Sequence, residues 1–209
     1  GAGRVVYQDL VRIDKAIDED SFSQNEQLCK IMDAVIEKGT ALHLMGLVSD
    51  GGVHSQLTHL LALISMAAKR GVPKTFVHAI LDGRDTPPDS GVGYVQTVQD
   101  HIQTIGYGRV ATLCGRFYAM DRDKRWERVQ QAYRLYTEGE GRTQTDPVAA
   151  IQSAYEMGET DEFVKPVALV DDNGRPVGTV ADGDGIIFFN FRADRAREIT
   201  RAFTEKGFD

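Results

Sequence analysis

The stretch Leu113–Arg128 reads LCGRFYAMDRDKRWER, and its layout decides the predicted fold. An apolar run beginning near Arg109 leads into it, which is typical of a buried strand. The chain leaves that run through Gly115 and enters a segment rich in basic side chains. Apolar positions at helical spacing begin only at Trp126. The stretch therefore predicts a strand, a cationic loop and a helix, a layout that suits binding of a small anion.

The basic residues of this loop alternate with Asp121 and Asp123. A solvated, charged loop that binds nothing would have the same composition, so this stretch alone leaves both interpretations open. Other loops of the same kind are needed to decide between them. The basic residues are Arg116, Arg122, Lys124 and Arg125.

The order of strand, loop and helix recurs along the chain. Apolar runs at Ala41–Val48, Thr75–Leu81 and Ile186–Phe189 each end in a polar loop that precedes a helical pattern. Short, nearly continuous apolar runs are typical of strands buried on both faces of a parallel sheet. We predict an α/β fold over residues 1–209 as a single domain, with a mostly parallel sheet and helices on both faces.

Local signals predict the remaining elements. Two helices should precede the first strand, and Ser21 or Ser23 is expected to cap the second one. Asp146–Pro147 pairs a capping residue with a proline at the first helical position. Asn173–Gly174 lies between two short apolar runs and predicts a small β-hairpin appended to the sheet.

The loops after the predicted strands contain the candidate site. Ligands of open α/β sheets bind at the carboxyl ends of the strands, where loops lead into helices. Five arginines lie in these loops, and parallel strands would bring them to one cleft. Such a cleft fits a substrate with two or more negative groups, for example a phosphorylated carboxylic acid. Asp85 and His54 could contact hydroxyls and act as general acid or base. The candidate residues are His54, Arg84, Asp85, Arg116, Arg122, Arg192 and Arg195.

Some of these residues have a structural alternative. Arg84 and Asp85 could pair with each other inside their loop, His54 could cap the following helix, and Arg195 could be a surface residue of the last helix. We expect the other histidines to be structural, with His43 and His78 in the core and His59 and His101 exposed on helices.

Composition narrows the function classes. The net charge of −7 argues against general affinity for nucleic acid or anionic membranes. No signal peptide and no apolar run of the ~20 residues that span a bilayer is visible. Cys29 and Cys114 are expected to be free thiols. We therefore expect a cytoplasmic protein.

The sequence does not contain the common metal-binding or nucleotide-binding motifs. Asp121 and Asp123 lack the glycine and the closing glutamate of a calcium loop. The chain has no P-loop motif, no C-x-x-C and no histidine pair at helical zinc spacing. We predict that this chain itself binds no metal.

Four loop motifs carry a resemblance to a known family. They are VSDGGVHS (Val48–Ser55), LDGRDT (Leu81–Thr86), GRFYAMDRDKRW (Gly115–Trp126) and FNFRADRARE (Phe189–Glu198). With GAGRVVYQDL at the start of the chain, they strongly resemble the cofactor-independent (2,3-bisphosphoglycerate-independent) phosphoglycerate mutases. The likeness runs the whole length of the chain. The small departure is Gln56, where a histidine is common.

The resemblance implies a domain organisation. Members of this family belong to the alkaline phosphatase superfamily and have two domains. A phosphatase domain holds two divalent metals, usually manganese, and a serine nucleophile, and a phosphotransferase domain is inserted within it. This chain resembles the inserted domain alone, because the serine motif would lie just before Gly1 and the metal ligands in the flanking segments.

The resemblance also implies a reaction of glycolysis, an isomerisation. In the family, phosphate passes from 3-phosphoglycerate to the serine, and the glycerate reorients in the cleft and takes the phosphate back, giving 2-phosphoglycerate. Matched residue by residue, the seven candidate residues would contact the substrate, and Asp85 would move a proton on the glycerate hydroxyl.

These implications lead to expectations for the isolated chain. We expect no mutase activity from it, because nucleophile and metals are absent, and we expect a monomer whose partner is the phosphatase domain of the same polypeptide. The alternative is a standalone module that binds small phosphorylated carboxylic acids.

Overall fold

A computed structural model describes residues 8–207. The sequence also predicts a loop at Gly1–Arg4 and a first apolar helical position at Tyr7, and both lie outside the described residues. The strands are β1 (Ala41–Leu47), β2 (Lys74–Leu81), β3 (Arg109–Gly115), β4 (Arg142–Gln144), β5 (Val167–Leu169) and β6 (Gly185–Phe188). The helices are α1 (Asp9–Asp18), α2 (Glu26–Lys38), α3 (Leu57–Arg70), α4 (Gly91–Ile105), α5 (Arg116–Ala119), α6 (Trp126–Glu138), α7 (Pro147–Glu156) and α8 (Arg197–Thr204).

The strands form one six-stranded sheet in the order β4-β5-β3-β2-β1-β6. Strand β1 lies between β2 and β6 and is parallel to both, and β3 is parallel to β2. Among the strand pairs of residues 8–207, β5 against β3 is antiparallel, and β4 is parallel to β5. The carboxyl ends of β1, β2, β3 and β6 therefore lie at one edge of the sheet, which confirms the mostly parallel sheet.

The side-chain alternation of the strands builds two cores. Leu44 and Val77 face the layer that contains α2, α3, α4 and α7. Met45 and Ile80 face the layer that contains α5, α6 and α8. Each fully buried aliphatic side chain contributes about 1.5–3 kcal/mol relative to an exposed one. Both faces of the central strands are covered, which explains why their sequences read as continuous apolar runs.

Helix ends follow local chemistry, with one correction. Helix α2 ends at Lys38 and is capped by Gly39, a left-handed position (φ 67°) that glycine tolerates. Its N-cap is Asn25 and not Ser21 or Ser23, because the Asn25 side chain accepts hydrogen bonds from the backbone N–H groups of Gln27 and Leu28. Asp146 caps α7 with Pro147 at its start, as predicted.

The predicted hairpin around Asn173–Gly174 is present in shortened form. Val170 and Pro176 form a single antiparallel bridge, and Val177 donates its N–H to the carbonyl of Leu169 over 2.9 Å. The returning arm does not continue as a strand, since proline cannot donate a ladder hydrogen bond. Instead Gly178 packs on the ring of Phe76, where any Cβ would lie 2.4 Å from a ring carbon.

The histidines outside the cleft differ from expectation at two positions, His59 and His101, both predicted to be exposed. His43 and His78 are fully buried and His101 is half-buried, whereas His59 is buried and not exposed. Helix α1 covers His59, whose Nε2 lies 2.8 Å from Asp14 Oδ1. Both cysteines are free. Between residues 8 and 207, no helix combines the length and the apolar character needed to cross a bilayer.

Candidate functional site

Four loops meet at the carboxyl edge of the sheet, one each after β1, β2, β3 and β6. The deepest contact between them is made by Arg116, the first residue of α5, which is 4% exposed. Its NH1 donates to Asp82 Oδ1 and to Asp85 Oδ2, each over 2.6 Å. The loop after β3 is thereby bonded to the loop after β2.

Asp82 is the buried acceptor of this edge. It accepts hydrogen bonds from the Ser49 hydroxyl (2.7 Å) and from the backbone N–H groups of Arg84 and Asp85. Burial alone would raise its pKa, but these hydrogen bonds and the charge of Arg116 outweigh burial and lower it. Asp82 is therefore an ionised anchor that sets the path of the loop.

Arg84 and Asp85 do not pair with each other, so that alternative interpretation is wrong. Arg84 NH1 lies 3.6 Å from Glu162 Oε1, and its side chain is 49% exposed. Asp85 is held by Arg116 and keeps 22% of its side chain exposed. Both side chains can therefore reach a ligand above the sheet edge.

His54 lies in the loop after β1, and its ring is almost completely buried. Its Nε2 is 3.9 Å from Asp85 Oδ2, and its Nδ1 is 3.8 Å from Asp194 Oδ1. It does not cap α3, whose N-cap is Gln56 and carries no side-chain capping bond. Burial, together with the charge of Arg116, lowers the His54 pKa. A neutral imidazole between two carboxylates can both donate and accept a proton.

Arg122 and Arg192 converge on one carboxylate from the last loop. Asp194 Oδ2 accepts from Arg122 NH1 over 2.9 Å and from Arg192 NH2 over 3.2 Å. The Arg192 N–H also donates to the carbonyl of His54 (3.4 Å), which ties the last loop to the first. Asp194 lies outside the predicted candidate set, and the alternation of basic and acidic residues in RADR (Arg192–Arg195) is the sequence feature that could have indicated its pairing.

Arg195 differs from the other four arginines of the candidate set. Its NH1 donates to the carbonyl of Met120 over 3.2 Å, and no carboxylate of residues 8–207 forms an ion pair with it. Burial, and then the neighbouring charges of Arg122 and Arg116, lower its pKa. A half-buried guanidinium that repels its neighbours and lacks a counter-ion is a strong attractor for an anion.

These side chains border a small polar pocket of about 200 Å³. Four candidate residues line it directly, while His54, Asp85 and Arg192 lie beside it and are connected through Arg116 and Asp194. A larger and more apolar groove of about 320 Å³ lies beside α6, and none of the seven candidate residues lines it. The charged residues that line the pocket of about 200 Å³ are six arginines, Arg84, Arg116, Arg122, Arg125, Arg128 and Arg195, and three acids, Asp121, Asp123 and Glu162.

The acidic residues at this edge do not form a cation site. Asp121 accepts hydrogen bonds from the backbone N–H groups of Asp123 and Arg125, so it organises the loop after α5. In the described part of the chain, no group of three or more His, Cys, Asp or Glu side chains is placed to hold a metal ion. The two divalent metals that the resemblance implies for the parent enzyme do not fit these residues, because the carboxylates of the cleft are engaged by guanidinium groups.

Comparisons with known proteins show the family of the chain. Residues 13–209 match the family model described as BPG-independent PGAM N-terminus. The chain is 58% identical over 208 residues to the 2,3-bisphosphoglycerate-independent phosphoglycerate mutase of Syntrophotalea carbinolica, covering all of this chain and 40% of the relative. The enzyme of the same name from Moorella thermoacetica is 54% identical over 209 residues, with the same coverage.

A solved structure extends the likeness to three dimensions. A crystal structure of Leishmania mexicana phosphoglycerate mutase at low cobalt concentration superposes with a TM-score of 0.92 at 34% identity, covering 100% of this chain and 40% of that one. The chain thus spans about two fifths of the length of the relatives it matches. By its family match and its identity to these enzymes, the chain belongs to the family of the BPG-independent phosphoglycerate mutase N-terminus.

Proposed function

We propose that this chain is the substrate-holding domain of a 2,3-bisphosphoglycerate-independent phosphoglycerate mutase, which interconverts 3-phosphoglycerate and 2-phosphoglycerate. The observation that carries the proposal is the half-buried Arg195 without a carboxylate partner, which borders a pocket lined by further guanidinium groups. Its relatives bear the name of this activity and extend well beyond the segment that the chain matches.

The pocket suits a molecule with two anionic ends. Arg84, Arg122 and Arg195 are the cations with donors available for a ligand, whereas NH1 of Arg116 is taken by two aspartates. A hydrogen bond to a charged group contributes about 1.5–3 kcal/mol net. Several such bonds would retain the carboxylate of a glycerate intermediate while its hydroxyl groups exchange places.

Asp85 and His54 supply the proton chemistry in this proposal. Asp85 holds a carboxylate at the mouth of the cleft, fixed by Arg116 over 2.6 Å. We assign it the transfer of a proton on the glycerate hydroxyl. His54, kept neutral by its lowered pKa, would hydrogen-bond a hydroxyl or the transferred phosphoryl group.

The remaining chemistry is proposed for the rest of the polypeptide. A serine nucleophile and two divalent metals, manganese by resemblance, would lie in a phosphatase domain of the alkaline phosphatase type. The chain would then hold the substrate without turning it over. We further propose a cytoplasmic, monomeric protein that binds neither nucleic acid nor membranes.

Two measurements test the proposal. Titration calorimetry of the 209-residue chain should detect binding of 3-phosphoglycerate that is lost in Arg195→Ala, while Arg197→Ala, exposed on α8, should bind as the wild type does. The chain alone, supplied with manganese, should produce no 2-phosphoglycerate. Turnover by the chain would contradict its assignment as a holding domain, and absence of binding would contradict the function itself.

The standalone binding module is distinguished by the neighbouring coding sequence. An open reading frame that continues on both sides with Asp and His metal motifs supports the mutase. Binding of 3-phosphoglycerate by a chain whose reading frame ends at Asp209 would instead identify a binding module.

A further inference from the structure

Two buried polar atoms face each other in the cleft without a hydrogen bond. His54 Nδ1 and Asp194 Oδ1 are 3.8 Å apart, and neither has a hydrogen-bond partner. A buried polar atom that makes no hydrogen bond destabilises the arrangement that contains it. A shift of roughly 1 Å would bring this pair to hydrogen-bond distance. A small movement of either side chain would therefore allow a hydrogen bond between His54 and Asp194.

Arg122 and Arg192 hold the carboxylate in its present position. Arg122 NH1 bonds Asp194 Oδ2 over 2.9 Å, and Arg192 Nε lies 3.0 Å from Oδ1 without hydrogen-bond alignment. Both guanidinium side chains are nearly half exposed, at 45% and 49%. Because they reach solvent, they can turn toward an incoming anion.

The imidazole on the other side has no such freedom. The His54 side chain is 3% exposed. The hydroxyl of the adjacent Ser55 donates to the carbonyl of Leu47, and the Arg192 N–H donates to the carbonyl of His54. Asp194 thus stands between two cations that can move and one ring that cannot.

We propose that Asp194 is a positioning residue for His54. An anionic ligand that binds Arg122 and Arg192 releases Asp194 from them, and the Asp194 carboxylate then accepts a hydrogen bond from His54 Nδ1. This inference rests on the proposed function, because it needs a phosphorylated acid that engages the two arginines. It assigns a role to a residue outside the predicted candidate set. The bond fixes the proton on Nδ1 and leaves Nε2, which faces Asp85, as an acceptor.

In this proposal, binding of the anionic ligand is coupled to proton transfer at His54. Before the ligand binds, Asp194 is an anion, because the hydrogen bond from Arg122 and the charge of Arg192 outweigh its burial and lower its pKa. Four charged groups surround the ring, namely Arg116, Asp85, Arg192 and Asp194. Only when the arginines are engaged by ligand does His54 acquire its orienting carboxylate, so the acid–base pair is set after the anion is bound.

Nitrogen-15 NMR of the histidine rings in the 209-residue chain tests this directly, with 3-phosphoglycerate as the probe. The His54 signals are assigned by their loss in His54→Asn. In the wild type, saturation with 3-phosphoglycerate should shift Nδ1 to the protonated position and slow exchange of its proton with solvent. Asp194→Asn, which keeps the size of the side chain, should bind the probe without either change. Glu205→Gln, which breaks an Arg–carboxylate pair beyond α8, is the matched control and should behave as the wild type.

The outcomes separate the inference from the proposed function. Identical ligand-induced His54 signals in the wild type and in Asp194→Asn would overturn the role of Asp194 and leave the substrate-holding function intact. No spectral change with 3-phosphoglycerate in any variant would overturn both. Circular dichroism of each variant, unchanged from the wild type, establishes that a lost signal reports the site and not the fold.

Discussion

Arg116 and Asp82 form an ion pair at the carboxyl edge of the sheet, 2.6 Å apart, with 3% and 1% of their side chains exposed. The pair joins the loops after β2 and β3 beneath the cleft. The pair therefore lies beneath the exposed arginines and Asp85 and holds the two loops together. One guanidinium nitrogen of Arg116 already donates hydrogen bonds to two aspartates, Asp82 and Asp85.

Removing one partner of this pair should strongly destabilise the folded protein. Asp82→Ala leaves Arg116 buried without its main counter-ion and is expected to lower the free energy of unfolding by about 3–5 kcal/mol. Urea denaturation measures this change in the free energy of unfolding. Asp123→Ala, which breaks the exposed pair with Arg125, serves as the control and should leave the unfolding midpoint unchanged. Equal effects of the two substitutions would show that burial does not decide the strength of these pairs.

Arg122 and Arg192 should matter for binding and turnover but not for stability. In the complete polypeptide, Arg122→Ala or Arg192→Ala removes a charge-assisted contact of about 1.5–3 kcal/mol, so kcat/KM should fall at least about ten-fold. Both side chains are nearly half exposed, so thermal melting should stay close to that of the wild type. Unchanged kinetics in both variants would show that the pocket is misplaced.

Much of the architecture could be predicted because buried segments have a recognisable pattern of apolar residues in the sequence. Strands β1, β2 and β3 are covered on both faces and read as apolar runs, and the arginines after them converge because parallel strands end at one edge. Strands β4 and β5 have three residues each, too few for any periodicity, and the reversal of β5 depends on its pairing with Thr112 and Leu113.

The pairing inside the cleft could not be predicted from spacing. Five arginines in four loops indicate an anion site, but nothing in the sequence tells that Arg116 is neutralised internally while Arg195 is not. The same limit applies to His59, whose burial results from packing of α1 and not from its place in α3. Tertiary partners decide which charged groups remain available.

A buried histidine chain should make stability depend on pH. His43 Nδ1 lies 2.8 Å from His78 Nε2, and His78 Nδ1 lies 2.9 Å from the Thr112 hydroxyl oxygen. Burial lowers the pKa of both rings, and at His78 the charge of His43 adds to it. The unfolded chain, with histidine pKa values near ~6.5, then binds more protons than the folded one below that pH. Stability should be complete above about pH 6.5 and fall as the pH drops, by up to about 1.4 kcal/mol per pH unit for each histidine.

Urea unfolding at a series of pH values between neutral and mildly acidic conditions measures this slope. His54, whose pKa is also lowered by burial, contributes to the same window, so the comparison uses variants. His78→Gln removes one group whose pKa is lowered by burial and should flatten the slope. A slope identical in the wild type and in His78→Gln would contradict the assignment.

Gly115 should be irreplaceable at the junction of β3 and α5. A Cβ at this position would lie 2.1 Å from the carbonyl oxygen of Glu162, a backbone atom that cannot turn away. Gly115→Ala must push back the segment that carries Glu162 toward Arg84, and overpacking of this kind costs about 1–3 kcal/mol. Gly93→Ala, inside α4 with nothing within 4 Å of its Cβ, should instead be neutral or stabilising by about 0.5–1 kcal/mol.

Chemical denaturation of both variants measures the contrast, and calorimetric titration with 3-phosphoglycerate should show weaker binding only in Gly115→Ala. A Gly115→Ala protein as stable as the wild type would mean that the Glu162 segment is not packed against the strand end.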